Sequence, residues 1–207
     1  MDVTIAVATF GDQKWVQLAS QRAIPSARAQ GQVWVVHTHA ETLHEARNMA
    51  LEKTATEWII YLDADDELEP GYVQHMATGQ ADIRAPSVRY VRAHARGRPA
   101  MPKVAGHRHT CGSDCLPQGN WLVIGACART EALRKVGGWR DFPWSEDWDM
   151  WLRCYLAGYT IQAIPQAVYR AHVDPRSRNR AATQEAKLAA HRAIEAANGL
   201  RPGGEPW

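Results

Sequence analysis

Three short apolar runs punctuate the first part of the chain, each followed by polar residues. Residues 3–9, with Val3, Ile5, Ala6, Val7 and Ala8, are nearly unbroken in apolar and β-branched side chains, as a strand buried on both faces requires. Val33, Trp34, Val35 and Val36 repeat that pattern within 32–37, and Trp58, Ile59, Ile60, Tyr61 and Leu62 repeat it again. Between these runs the spacing becomes helical. Val16, Leu18, Ala19 and Ala23 give residues 14–29 a core-facing side, although Pro25, lacking an N–H, should end or kink that helix. Leu43, Ala46, Ala50 and Leu51 share one face of 41–51. Strand, helix, strand, helix, strand predicts a parallel sheet with right-handed crossovers.

The pattern is less regular further on. Residues 70–78 read as a short helix, 81–93 as one or two strands, and 120–128 as another apolar strand. A short helix over 130–136 is stopped by Gly137 and Gly138. Ser145 reads as the N-cap of a helix reaching Ala157, with Glu146 and Asp147 in a first turn that suits acids. Two short strands, 160–164 and 167–171, lead to His172. An alanine-rich helix over 181–198 and a Pro/Gly tail follow. Residues 92–119 carry histidines, basic residues, Gly and Pro, and read as a long loop or insertion, which inside a compact domain is often functional.

Composition narrows the class. A chain of 207 residues, 45% hydrophobic and 22% charged, suits one globular core with a tail. A net charge of +2 gives no polyelectrolyte reason to favour nucleic acid. No apolar run approaches the roughly 18–20 residues of a membrane span. Met1 and Asp2 run directly into a strand without a basic leader, so a cytoplasmic protein is expected. Cys127 and Cys154 read as small core residues.

Chemistry concentrates at one edge. In parallel sheets ligands bind outside the carboxyl ends of strands. There the chain offers Thr9, Phe10 and Gly11, then His37, Thr38 and His39, then Asp63, Ala64 and Asp65. Asp63, Asp65, Asp66 and Glu67 crowd negative charge at a strand end, and a divalent cation would relieve it. Their hard oxygens suit Mg²⁺ or Mn²⁺. The alternative is a solvated acidic turn ahead of Pro70 and Gly71.

The order Thr9 and Phe10, Arg47 and Asn48, Leu62 to Asp66, then Gly137, Gly138 and Trp139, then Glu146 and Asp147 resembles the inverting family-2 glycosyltransferases of GT-A fold, across residues 3–173. The resemblance implies an α/β fold: a Rossmann-like, mostly parallel central sheet flanked by helices, with a C-terminal helix. It implies a transferase domain over 1–175, with 92–119 on the acceptor side, and a basic turn, helix and tail over 176–207. It implies sugar transfer from a nucleotide-diphosphate sugar to an acceptor hydroxyl, with a divalent cation, Mn²⁺ or Mg²⁺, on the leaving diphosphate. A UDP-sugar is favoured and a GDP-sugar is possible.

Residue by residue, the resemblance makes Asp65 the direct metal ligand, puts Asp63 near the ribose or the metal's waters, and lets His172 complete the site. Asp147 becomes the general base and Glu146 orients the acceptor or the base. Thr9, Phe10, Gly11, Arg47 and Ala64 join Asp63 and Asp65 on the nucleotide-sugar side, and Trp144 and Trp148 offer aromatic faces to the acceptor. Where family members usually carry an acidic pair for the nucleobase, this chain has His37, Thr38 and His39, which leaves the nucleobase open. Arg176, Arg178 and Arg180 fit a lid over the diphosphate or a solvated basic turn, and Glu67 fits the surface.

His107, His109, Cys111 and Cys115 place four zinc-type ligands within nine residues, at a spacing unlike the common fingers. A structural Zn²⁺, a disulfide between the two cysteines, and an acceptor loop with incidental His and Cys all fit. Two other functions compete with transfer. A nucleotidyltransferase or sugar-nucleotide pyrophosphorylase would want a Gly-rich, Lys-containing loop after the first strand, and Gly11 and Asp12 do not supply one. A non-catalytic carbohydrate- or nucleotide-binding module would have no use for both acidic pairs.

Overall fold

β1 (Val3–Phe10) is buried almost throughout because it lies between two parallel neighbours, β2 (Trp34–Ala40) and β3 (Trp58–Asp63). The structure, a computed structural model, describes residues 1–92, 103–104, 112–173 and 182–203. Register sets Thr9 beside His39 and Ala8 beside Asp63, so the ends of all three strands meet on one edge.

The helices between them follow local chemistry. The first is two: α1 (Lys14–Gln21) and α2 (Ala23–Arg28), broken at Arg22, whose φ is −127°. Pro25 explains the break, since it cannot donate to Gln21, one turn back, and its ring crowds that carbonyl. α3 (Leu43–Lys53) starts two residues later than expected, at a capping box in which Thr42 and Glu45 satisfy each other's backbone N–H.

Beyond β3 the sheet becomes mixed. A short β4 (Glu67–Leu68) and α4 (Tyr72–Met76) precede β5 (Ile83–Arg92), with β6 (Lys103–Val104) paired to β5. β7 (Cys127–Arg129) is antiparallel to both β3 and β5, and β8 (Ile161–Val173) runs parallel to β5. The order β2-β1-β3-β7-β5-β8-β4 has long parallel ladders and antiparallel ones of only two or three residues, the expected α/β architecture.

Three expectations about this second part need correction. Of 120–128 only the last two residues join a strand. The rest is buried but irregular, turning where the Ala126 N–H donates to the Val123 carbonyl at 3.1 Å. An apolar run reports burial, not extension. Gly125 is where the turn passes the Tyr169 ring, which a Cβ would strike at 2.2 Å. The two strands of 160–171 are one strand carrying a bulge, since the partners jump from Pro86↔Ile164 to Ser87↔Val168. Ser145 makes no side-chain capping bond to α6 (Glu146–Leu156) and is left-handed, at φ 59°.

α5 (Thr130–Lys135) and α6 pack beside an aromatic stack. Tyr61, Trp139 and Trp151 meet edge to face, with centroids 5.0 and 6.2 Å apart. α7 (Gln184–Ala197), capped by Thr183, lies against α6. The Asn198 amide just beyond it donates to Asp149 at 3.1 Å, and Asp149 is fully buried and also held by Arg140 and Arg153. Among the described residues no helix is long and apolar enough to cross a membrane.

Candidate active site

The edge where β1 and β3 end opens into a cavity of about 560 Å³. Thr9, Phe10, Arg47, Asp63, Ala64, Asp65 and Asp66 form one wall, and Asn120, Trp144, Ser145, Glu146 and Asp147 form the other. The two acidic constellations, some eighty residues apart in sequence, thus face a single space.

Arg47 joins them. One guanidinium nitrogen lies 3.0 Å from Glu146 Oε1 and another 3.1 Å from Asp63 Oδ1, and the plane sits 4.5 Å above the Trp139 ring. Burial works against its charge, but Asp63, Glu146 and Asp147 outweigh burial and hold the proton more firmly than usual. Two of its nitrogens are held by protein carboxylates, so Arg47 ties the walls together, and it also lines the cavity where it was expected to meet the nucleotide. α3 presents it from below, and its own carbonyl accepts from Tyr61 Oη at 3.0 Å.

Asp147 accepts from the Asn120 amide at 3.0 Å and from the Trp148 backbone N–H at 2.9 Å. Burial, then the charge of Glu146, pushes its carboxyl up to about 6, against the pull of Arg47 and those hydrogen bonds. A carboxylate with that proton affinity can hold or release a proton near neutral pH.

On the opposite wall the carboxylates repel. Asp66 is raised well above the usual range by burial, then by Asp65 and Asp63, although its Oδ1 accepts the His172 backbone N–H at 2.7 Å. The Tyr169 hydroxyl, also on the wall, lies 3.2 Å from the Asp63 backbone N–H and accepts from it. Among the described residues no three His, Cys, Asp or Glu side chains close into a metal cage. Crowded carboxylate oxygens beside an open space still fit Mg²⁺ or Mn²⁺. Such ions are held by one or two carboxylates while water and substrate phosphates fill the other positions.

Several expected site residues lie elsewhere. His172 is not on the wall; its Nε2 sits 2.6 Å from Glu67 Oε2, which β4–β8 pairing brings alongside. Glu67 is therefore not simply a surface residue. Burial raises its carboxyl, but His172 and Arg170 together hold it below the usual range. His37 is turned onto Thr9. The Thr9 hydroxyl donates to the Thr38 carbonyl at 3.1 Å, so it accepts from His37 Nε2 at 3.0 Å and from His39 Nδ1 at 3.1 Å. That tautomer leaves His39 Nε2 to accept from Gln13 at 3.2 Å. Burial, then His39, lowers the proton affinity of His37. Gly11 stands off the wall at φ 63°, in a backbone shape that glycine allows.

Trp144 lines the cavity, but Trp148, expected to meet the acceptor, is 1% exposed and its indole N–H donates to the Leu116 carbonyl at 2.7 Å. One helical residue beyond Asp147 it is rotated about 100° away, into the core. Of the zinc candidates, Cys115 is buried in a 3-10 turn, Gly112–Gln118, with its sulfur in a disulfide. His107, His109 and Cys111 lie outside the described residues, as do Arg176, Arg178 and Arg180. Cys127 and Cys154 are buried, as expected.

The structure adds residues that the sequence reading passed over: Asn120, Tyr169, and Lys187 and His191 from α7. The last two stand four apart on one helical face, a legible signal with no indication of where that face would dock.

The family model described as glycosyl transferase family group 2 matches residues 58–187. No curated protein sequence matches the chain. Among solved structures, residues 1–349 of S. aureus TarS in complex with UDP-GlcNAc superimpose with a TM-score of 0.70 at 15% identity, covering 95% of this chain and 66% of that one. The same TarS segment with UDP gives 0.59 at 16%, covering 95% and 65%. A longer S. aureus TarS structure gives 0.58 at 16%, covering 98% and 41%. The chain therefore spans just under two thirds of the TarS segment, and at these identities the likeness is one of fold.

Proposed function

The chain belongs to glycosyl transferase family group 2, and on that premise we propose that it is an inverting, metal-dependent glycosyltransferase acting on a nucleotide-diphosphate sugar, a UDP-sugar before others. TarS, one of the structural neighbours, was solved with UDP-GlcNAc and with UDP, which supports that donor class. The observation that carries the reading is Asp147 facing Asp63, Asp65 and Asp66 across one cavity.

In this reading the acceptor hydroxyl hydrogen-bonds to Asp147. As its oxygen attacks the anomeric carbon, the hydroxyl proton passes to the Asp147 carboxylate and the bond from that carbon to the diphosphate oxygen breaks on the opposite face, inverting the centre. Asn120 and the Trp148 N–H hold the carboxylate in place for the transfer. Arg47 holds Glu146 beside it through an ion pair at 3.0 Å and does not itself take the proton. Asp65, with Asp63 and Asp66 around it, would hold the cation, which when bound supplies positive charge to the leaving diphosphate. Thr9, Phe10 and Ala64 line the donor side, and Trp144 offers a ring to the acceptor.

A thermal-shift screen of UDP-, GDP- and dTDP-sugars with and without Mn²⁺ tests this, because a ligand that binds only the folded chain raises its melting temperature. A Mn²⁺-dependent rise with a UDP-sugar is expected. No rise with any of the three sugar nucleotides would overturn the donor assignment.

A further inference from the structure

Ser145 is the only non-glycine residue with positive φ among the described residues, and it directly precedes the acidic pair. A side chain resists that backbone shape, so something must hold it there. A serine in this position ordinarily caps its helix with its own hydroxyl. Here the hydroxyl makes no capping bond and lies 3.1 Å from Nε2 of His191, on the C-terminal helix. The same imidazole packs against the Trp148 ring at 4.7 Å between centroids, and Trp148 donates the backbone N–H that holds Asp147 Oδ1. His191 thus touches the residues on both sides of Glu146 and Asp147. Asn198 anchors the far end of α7 through Asp149 and Arg140, at 3.1 and 2.9 Å, so the helix is fastened at two points. Burial lowers the proton affinity of His191 against the opposing charge of Glu195, which keeps the ring a neutral hydrogen-bond partner near pH 7.

We propose that His191 is a positioning residue for sugar transfer, holding Ser145 in the left-handed conformation that aims Asp147 into the cavity. The inference rests on Asp147 being the base. It makes the C-terminal helix part of the transfer machinery, although most of it lies beyond the segment that matches the family model.

The test compares His191→Ala, Ser145→Gly and the double variant, following UDP release from UDP-GlcNAc with Mn²⁺, alongside melting temperature and amide exchange over residues 146–149. Glycine takes positive φ without a clamp. His191→Ala should therefore lower kcat about tenfold with the donor KM unchanged, and in the Ser145→Gly background the same substitution should cost no more than about twofold. His191→Gln, which can still reach the Ser145 hydroxyl, should recover part of the loss. Exchange over 146–149 should quicken in His191→Ala at a melting temperature close to that of the parent. An equal loss in both backgrounds, or unchanged exchange, overturns the clamp and leaves His191 as packing for Trp148. If the parent releases no UDP yet the loop loosens as described, the clamp stands and the transfer reading falls.

Discussion

The wall carrying Asp63, Asp65 and Asp66 hangs from parallel strands in register, whereas the wall carrying Glu146 and Asp147 hangs from buried, irregular chain and a left-handed serine. Their electrostatics differ as well. The first wall gathers carboxylates that repel one another, which suits a site awaiting a cation. The second sets Asp147 beside Glu146, surrounds it with donors and raises it to about 6, which suits a site awaiting a proton. Arg47 spans the two and is satisfied by one carboxylate from each. A strand end can deliver charge cheaply, because its neighbours are fixed by the ladder. A base aimed from a loop needs contacts from distant parts of the chain.

The sharpest break between the walls comes from Asp147→Asn. If Asp147 is the general base and the other wall holds the donor, transfer should fall roughly 10²–10⁴-fold while donor affinity stays within about twofold of the parent. Near-normal turnover would end the base assignment. The same variant should be more stable at pH 7.5, by on the order of 1–3 kcal/mol. A carboxyl raised by the fold binds its proton more tightly folded than unfolded. Stability is therefore lost as pH rises from about 4 to 6, and the neutral amide escapes that loss. Chemical denaturation of both proteins at pH 7.5 and pH 4 reads it.

Arg47→Leu breaks the tie itself. It leaves Asp63 and Glu146 facing each other without their shared cation, and removing one partner of a buried ion pair costs about 3–5 kcal/mol. Arg47→Lys should recover less than half of that, since a single ammonium lacks the fork that reaches both walls. Full recovery of denaturation midpoint by lysine would show that charge alone, not two-sided geometry, is what the site needs. By contrast Asp65→Ala thins a cluster of mutually repelling carboxylates. If Asp65 holds the proposed cation, the substitution should cost at least about tenfold in donor affinity with Mn²⁺ by calorimetry, since a cation held by one or two carboxylates would lose a principal ligand. Equal affinity would remove Asp65 from the metal.

These contrasts also explain what could be read in the sequence. β1, β2 and β3 were legible because burial on both faces writes an unbroken apolar run, and the acids after Leu62 interrupt it abruptly. The pairing of Glu146 with Asp147 was legible as chemistry. Its support was not, because Ser145 looks like an ordinary cap and the His191 bond that redirects it crosses 46 residues. Residues 120–126 looked like a strand because buried coil and buried strand share a composition. The contact between His172 and Glu67 was not legible either, because it depends on the register of β4 on β8. Trp148 looked like a platform because adjacency in sequence says nothing of the helical turn that carries it inward. Each miss is a question of register, handedness or rotation, which a linear pattern does not encode.

The smallest effect, and the one that separates the two kinds of carboxylate most cleanly, is the acid limb of the rate. If Asp147 must accept a proton, kcat/KM should fall with unit slope below about pH 6 and lie about tenfold down at pH 5, relative to pH 8. The sign follows from burial and from Glu146, which both resist the charged form. Removing the neighbouring charge should therefore move the limb toward lower pH, so Glu146→Gln is expected to shift it acidward even as it perturbs Arg47. A limb near pH 4 in the parent would mean that Asp147 titrates as a solvated carboxylate. The enclosure of the second wall would then have no part in tuning it.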